Sequence, residues 1–465
     1  MNELTINLKP KSKMPLYEQI YRYIKENIIA GKLPYKEKLP STRQLSRYLE
    51  VSRSTVELAY EQLLSEGYIE AEPYRGYYVA QIEGLYHFSK ERESDHTHPE
   101  KCEEKYKYDF SPNGVDLNSF PYNAWRKLSK EVLLDDKVEL FRLGDPQGEL
   151  SFRESICKYL YQARGVGCTP EQVVLGAGSD FLLMMLCAII GRDRRFAVEN
   201  PTYKQAYRLF ESQSYPVVPI DMDRHGMKID KLYESDADVA YVTPSHQYPT
   251  GVVMPIKRRL ELLKWANDRD GRYIIEDDYD SEFRYKGKPI PALQGYDQSG
   301  RVIYLGTFSK SIAPAIRMSY MVLPEELVAV YRKKCGFISS TVSKVDQLIV
   351  QSFIENGYYD RHLNKTRALY RGRHDMLING LRPLAGCCSI SGENAGVHLL
   401  LTFENGMTED EIVERAKNVR IRVYRMSDYV VGRKEWKATV LLGYANLTEE
   451  EIKEACGMLC EAWLS

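Results

Sequence analysis

No run of this 465-residue sequence is apolar for long enough to cross a bilayer. The longest, Phe181 to Ile190, falls short of the ~20 residues a spanning helix needs and reads better as a helix buried against a sheet. The N-terminal stretch MNELTINLKPKSKMPLYEQI lacks the apolar core of a secretory signal. Excess charge of either sign is also missing. The formal net charge is -1, so contact with nucleic acid must come from local clusters of lysine and arginine. Nine cysteines are scattered from Cys102 to Cys460 without zinc-finger spacing. Their odd number and placement suit reduced thiols in a cytoplasmic protein better than a disulfide framework. There is no phosphate-cradling GxxxxGKS/T loop, no internal repeat and no low-complexity tract.

What is present is globular: 43% hydrophobic and 28% charged residues, in a chain too long for one ordinary core. Three parts are expected. Residues 1–80 hold short amphipathic segments with sharp stops. Residues 81–107 are polar, charged and poor in aliphatics, and read as a linker that cannot bury enough surface to fold alone. In residues 108–465, short apolar strands such as QVVLGAG, RRFAVENP, VAYVTP, RYIIEDD and RVIYLGTFS alternate with longer helical patterns. That alternation predicts an α/β fold around a mostly parallel sheet.

In the first part, Leu16, Ile20, Tyr23, Ile24 and Ile28 recur at helical spacing, and Gly31 ends the run. Ser41 is placed to cap a second helix carrying Leu45 and Leu49. Ser52 is placed to cap a third, whose buried face is Val56, Ala59, Tyr60, Leu63 and Leu64. YIEAEPYRGYYVA then predicts two short strands around Pro73 to Gly76. Three helices and a hairpin make a mostly α winged helix-turn-helix. The third helix opens on Ser52, Arg53, Ser54 and Thr55, where a recognition helix meets double-stranded DNA. Arginine reads guanine bidentately, and hydroxyls and free helix amides suit phosphate. Lys36, Lys38, Arg43, Arg47 and Arg75 add positive charge nearby.

The stretch YLGTFSKSIAPAIRMSY, residues 304–320, ends a strand in a turn bearing Thr307, Ser309, Lys310 and Arg317. Pyridoxal 5'-phosphate (PLP) chemistry requires these types together: an amine for the aldehyde, hydroxyls for the phosphate and a fixed cation against its charge. A lone serine–lysine pair is ordinarily an exposed turn, so the reading depends on the other strand ends. YIIEDDYDSEF ends in Glu276, Asp277, Asp278 and Tyr279. A carboxylate there can keep a pyridine nitrogen protonated, and a phenol can bond a ring hydroxyl. By itself such an acidic end would equally suit Mg²⁺. LGAGSDFLLMML turns through Gly178 and Ser179 into a helix whose first amides can cradle phosphate. ENPTYKQA places Tyr203, and TPSHQYPTG places His246, after further strands, where ligands sit in α/β folds.

Residues 13–80 resemble the DNA-binding domains of the GntR superfamily, through LYEQIYRYIKENIIAGKL, LPSTRQLSRYLEVSRSTVELAYEQLLSEGYI and RGYYV. The resemblance implies that Arg43, Arg53, Thr55 and Gly76 lie at or near DNA, and their own places at the third helix start and in the hairpin add Ser52 and Arg75. Residues 108–465 resemble a fold-type I aminotransferase through NPTY, HQYPTG, EDDYDSEF, the SK lysine and the later arginine. By that resemblance Lys310 forms the internal aldimine and Asp277 meets the pyridine nitrogen. Tyr279 meets the ring hydroxyl, Tyr203 stacks, and Gly178, Ser179, Thr307, Ser309 and Arg317 hold phosphate. The fusion resembles the MocR-type regulators and is close to their γ-aminobutyrate-sensing branch. The implied protein is a homodimeric transcription regulator in which an amino-compound effector forms an external aldimine at the Lys310 site. The linker length permits a head-to-tail exchange of DNA-binding heads.

Three positions depart from these patterns. Leu441 stands where aminotransferases carry the arginine for a substrate α-carboxylate, which favours a regulator over the alternative of an aminotransferase with an accessory DNA-binding domain. Gln205 and Asp428 stand where the γ-aminobutyrate branch clamps a carboxylate with arginines, which argues for a different effector. Tyr248 replaces the asparagine before Pro-Thr-Gly, so His246 is expected to meet the ring hydroxyl instead.

Overall fold

Helix α1, Leu16–Ile29, buries Ile20, Ile24 and Ile28 of the predicted stripe together with Tyr21, while Leu16 and Tyr23 are only half-buried. Tyr21 goes inside in place of Tyr23 because its hydroxyl donates to Glu66 at 2.6 Å. Ser41 caps α2, Thr42–Tyr48, through a reciprocal pair with Gln44. Ser52 caps α3, Arg53–Ser65, by accepting from the Thr55 amide. On α3, Val56, Ala59, Tyr60 and Leu63 are fully buried. Burial of each large apolar side chain stabilises the unit by about 1.5–3 kcal/mol. The Tyr60 hydroxyl donates to the Pro40 carbonyl at 2.9 Å, which ties α3 to the residue just before the α2 cap. Strands β1, Ile69–Glu72, and β2, Gly76–Val79, pair antiparallel as the expected wing.

The computed structural model describes residues 6–9, 12, 14–81, 106–134, 138–285, 290–393, 395–432 and 436–465. The chain divides into two compact units, Met1–Glu103 and Glu104–Ser465. Most of the expected linker, 81–107, lies outside the described residues.

The second unit opens with β3, Tyr108–Asp109. Its main sheet has eight strands: β4 (Val173–Gly176), β5 (Phe196–Asn200), β6 (Val217–Asp223), β7 (Gly226–Met227), β8 (Val239–Val242), β9 (Tyr273–Asp278), β10 (Val302–Thr307) and β11 (Ser319–Val322). Their order is β4-β11-β10-β9-β8-β5-β6-β7. Pairs β10–β9, β9–β8, β8–β5 and β5–β6 are parallel. Strand β11 runs against both of its neighbours and β7 against β6. Strands β4, β5, β8, β9 and β10 are buried along their whole length, as expected for a sheet covered on both faces. The apolar run at Phe181 lies in the buried helix Ser179–Ile190. Among the described residues no helix is long and apolar enough to cross a membrane.

A smaller sheet is built from β12 (Cys388–Ser391), β13 (His398–Phe403), β15 (Tyr424–Arg425) and β16 (Thr439–Gly443), while β14 (Ile421–Arg422) pairs with β3. Helix Glu449–Leu464 seals its core with Ile452, Leu459 and Trp463.

Candidate functional site

Successive side chains of a strand point to opposite faces, and this sorts the acidic end of β9. Glu276 and Asp278 share one face. Glu276 accepts the Leu293 and Gln294 amides at 2.7 and 2.8 Å. Asp278 pairs with Arg164 at 2.7 Å and accepts from the Tyr304 hydroxyl at 2.6 Å. Asp277, between them, faces a cavity of about 300 Å³. Burial pushes its carboxyl up to about 7, opposed by the Tyr241 hydroxyl, which donates to it at 2.5 Å.

Lys310 lines the same cavity, just past the end of β10. Its ammonium nitrogen donates to the Pro112 carbonyl and to Asn113 Oδ1, both at 3.3 Å. Burial lowers its pKa from 10.5 to about 8, so much of the amine is free at mildly alkaline pH. Tyr203, Tyr279, Thr307, Ser309, Arg317, Gly178 and Ser179 line the cavity as well. Thus the stations on β4, β5, β9 and β10 converge, although they are far apart in the sequence.

The Gly178–Arg317 contact shows why a glycine is needed. Gly178 has φ +98°, and a Cβ there would lie 2.3 Å from Arg317 Nη2. The Arg317 guanidinium meets Asp180 at 3.3 Å and remains half exposed. The Ser309 hydroxyl is buried without a hydrogen-bond partner. The Thr307 hydroxyl is engaged, accepting from the Ser309 amide at 3.1 Å and the Ser319 hydroxyl at 2.9 Å.

His246 sits behind the wall instead of in it. Its Nδ1 is 2.9 Å from both the Tyr279 hydroxyl and Asp280 Oδ2. Gly396 lets the ring pack this deeply, since a Cβ there would meet His246 Cε1 at 2.1 Å. Gln205 lines the cavity. Asp428 is exposed and outside the lining, in the turn Ser427–Tyr429. The neighbouring Tyr429 hydroxyl accepts from Tyr248, a cavity residue, at 3.3 Å. Leu441 is fully buried with Leu400 and Met426.

Sequence reasoning missed Asn113, Asp180, Tyr241, Thr243 and Pro314 in the lining. Asn113 lies in the turn-forming SPNG stretch after β3, a signal that marks a loop without marking its destination. Tyr241 lies inside β8, where no motif distinguishes it.

In the first unit Arg43, Ser52 and Arg53 are exposed at the starts of α2 and α3, and Arg75 at the wing tip. Gly76 has φ +112°, a conformation that suits glycine. Ser52 Oγ lies 2.7 Å from Thr55 Oγ1. Arg53 is held along its own helix by Glu57 at 2.7 Å. If Arg53 reads a base, Arg53→Ala should weaken operator binding by about 1–3 kcal/mol. Titration of operator and scrambled duplexes checks this; equal losses on both would make the residue a phosphate contact.

Residues 107–459 match the family "Aminotransferase class I and II", and residues 16–79 match "Bacterial regulatory proteins, gntR family". The uncharacterized HTH-type transcriptional regulator YdeL of Bacillus subtilis is 40% identical over 99% of this chain and 99% of its own. The probable rhizopine catabolism regulatory protein MocR of Rhizobium meliloti is 30% identical over 97% and 94%. The chain belongs to the MocR-type regulators. This transcription regulator also resembles a solved multiple substrate aminotransferase from Thermococcus profundus, with a TM-score of 0.69 and 26% identity over 77% of this chain and 91% of the other. The aminotransferase fold of a MocR-type regulator implies PLP, and the residues here fit that group. Asp277 is a buried carboxylate facing the cavity, Ser309 offers an unpartnered hydroxyl, and Arg317 lies against the Gly178 turn.

Proposed function

We propose that this chain is a PLP-dependent, DNA-binding transcription regulator that senses an amino compound at Lys310. The observation that carries the reading is the half-buried Lys310 amine, facing the same cavity as Asp277 and Arg317 in a chain that also has a winged helix-turn-helix. Bound there, PLP would supply an aldehyde that condenses reversibly with primary amines. Gly178, Ser179, Ser309 and Arg317 would hold its phosphate, with Thr307 shaping the turn. Asp277 would face the ring nitrogen, Tyr203 the ring plane, and Tyr279, backed by His246, the ring hydroxyl. Gln205 is the effector-facing candidate in the cavity lining, while Asp428 lies exposed outside it. Neither is a cation, which favours an effector recognised without an arginine clamp on a carboxylate. Release of Lys310 by an effector amine would bias the protein toward another arrangement of DNA-binding heads. The functional unit is proposed to be a cytoplasmic homodimer on two half-sites of double-stranded DNA.

A screen of amines and amino acids tests this, read by cofactor absorbance and by operator binding in parallel. An amine that changes both is the expected result. Robust multiple turnover of amino donors with 2-oxoglutarate would instead make the chain an aminotransferase with an accessory DNA-binding domain. The completeness of the Lys310–Asp277–Tyr279 set favours that second reading, and the burial of Leu441 among aliphatic side chains counts against it.

The lowered Lys310 pKa gives a pH signature. Covalent uptake of added PLP by the apoprotein needs the neutral amine. Its rate should rise about tenfold per pH unit up to about pH 8 and then level. Stopped-flow absorbance across pH reads this; a rise continuing to the ordinary lysine range would remove the assignment of a buried, desolvated amine.

A further inference from the structure

Outside the lining of that cavity, Cys157 and Cys168 bring their sulfurs to 3.4 Å. Cys157 lies on helix Leu150–Arg164, and Cys168 in the loop between that helix and the turn Pro170–Gln172. Both are half-buried free thiols, so small solutes can reach them. The backbone around Cys168 is held in place. Gly165 takes the left-handed conformation that ends the helix, and Val166 donates to the Leu160 carbonyl. Gly167 exchanges two hydrogen bonds with the Gln294 side chain, at 3.2 and 3.0 Å. Arg153, one helical turn before Cys157, donates to the Pro170 carbonyl at 2.6 Å. The pair is therefore positioned from both sides. A disulfide needs the sulfurs to close by only about 1.4 Å, to a bond of about 2.05 Å.

We propose that Cys157 and Cys168 form a redox-modification site, a dithiol that a hydroperoxide converts into an intramolecular disulfide. Cys157 is the attacking sulfur. The Cys168 thiol donates to it and lowers its pKa against the opposing effects of burial and Glu171, with Arg153 assisting, while Cys168 is itself pushed up. The Cys157 thiolate attacks one peroxide oxygen, the O–O bond breaks, and the alcohol or water formed takes a proton. Cys157 becomes a sulfenic acid. The Cys168 sulfur, losing its proton, then attacks the Cys157 sulfur. The S–O bond breaks, and hydroxide leaves and is protonated to water. Overall two thiols are oxidised by two electrons, one hydroperoxide is reduced, and an alcohol and a water leave. The bridge ties the helix to the loop feeding β4, the strand that leads into the Gly178–Ser179 turn.

The test treats the reduced full-length chain with limiting hydrogen peroxide, blocks free thiols, and maps tryptic peptides. Lys158 and Arg164 lie between the two cysteines, so trypsin separates them unless they are bridged. The expected product is the Cys157 peptide joined to the Cys168 peptide, lighter by two hydrogens and released by dithiothreitol. In Cys168→Ser, Cys157 should stop as a sulfenic acid trapped by dimedone; in Cys157→Ser, Cys168 should stay reduced. Bridging through other cysteines, over-oxidation of Cys157 without a bridge, or a pair that stays reduced while Cys387 and Cys388 react would each overturn the proposal.

Discussion

Lys310→Ala is expected to abolish the visible absorbance of lysine-linked PLP and the covalent label that borohydride leaves on the chain. The response of DNA binding to amines should vanish with them. Operator affinity without effector should stay within about twofold, because distant sites couple by only a few tenths of a kcal/mol and the winged helix forms its own compact unit. Compared as apoproteins below pH 8, the variant should also be no less stable than the parent. There the native amine is protonated although burial disfavours its charge, and alanine removes that cost. Spectra and borohydride labelling of the PLP-loaded proteins, gel shifts, and thermal melts of the apoproteins read these five outcomes. Loss of DNA binding alongside the absorbance would count against two separable units.

The second large effect is expected at Arg164, which lies outside the cavity lining and outside the winged helix-turn-helix. Its guanidinium is buried, pairs with Asp278 at 2.7 Å, donates to Ser245 Oγ at 2.7 Å, and bonds the Ile290 carbonyl. It thereby holds together the end of helix Leu150–Arg164, the end of β9 and the loop after β8. Arg164→Leu leaves Asp278 buried without its counter-charge, which should cost about 3–5 kcal/mol. Asp278→Leu in the same chain should recover much of that loss, since replacing both members of a buried pair is far cheaper than removing one. Urea denaturation of the two single variants and the double variant closes the cycle. A loss below about 1 kcal/mol for Arg164→Leu would show that water reaches and screens the pair.

The contrast between these residues marks what was legible in the sequence. Ser41 and Ser52 announce helix starts because capping is local chemistry, and both cap as expected. The strand-end stations were legible because a parallel sheet gathers its carboxyl ends on one edge. Arg164 was not legible, since its partners lie 81, 114 and 126 residues away and no local pattern points to them. Asn113 escaped for the same reason, reaching Lys310 across 197 residues. His246 was half legible. The replacement of asparagine by Tyr248 turns attention to this loop, but the ring lies behind the cavity wall, at a depth that depends on Gly396, far along the chain.

The alternation along β9 sets a rule for how such a chain can change length. Asp277 and Asp278 differ in job only because one faces each side of the sheet. Gaining or losing one residue within the strand would swap them, aiming the Arg164 partner at the cavity and the cavity carboxylate at a buried guanidinium. A change of two residues would restore the facing. Descendants of this sequence are therefore expected to tolerate insertions within β9 only in pairs.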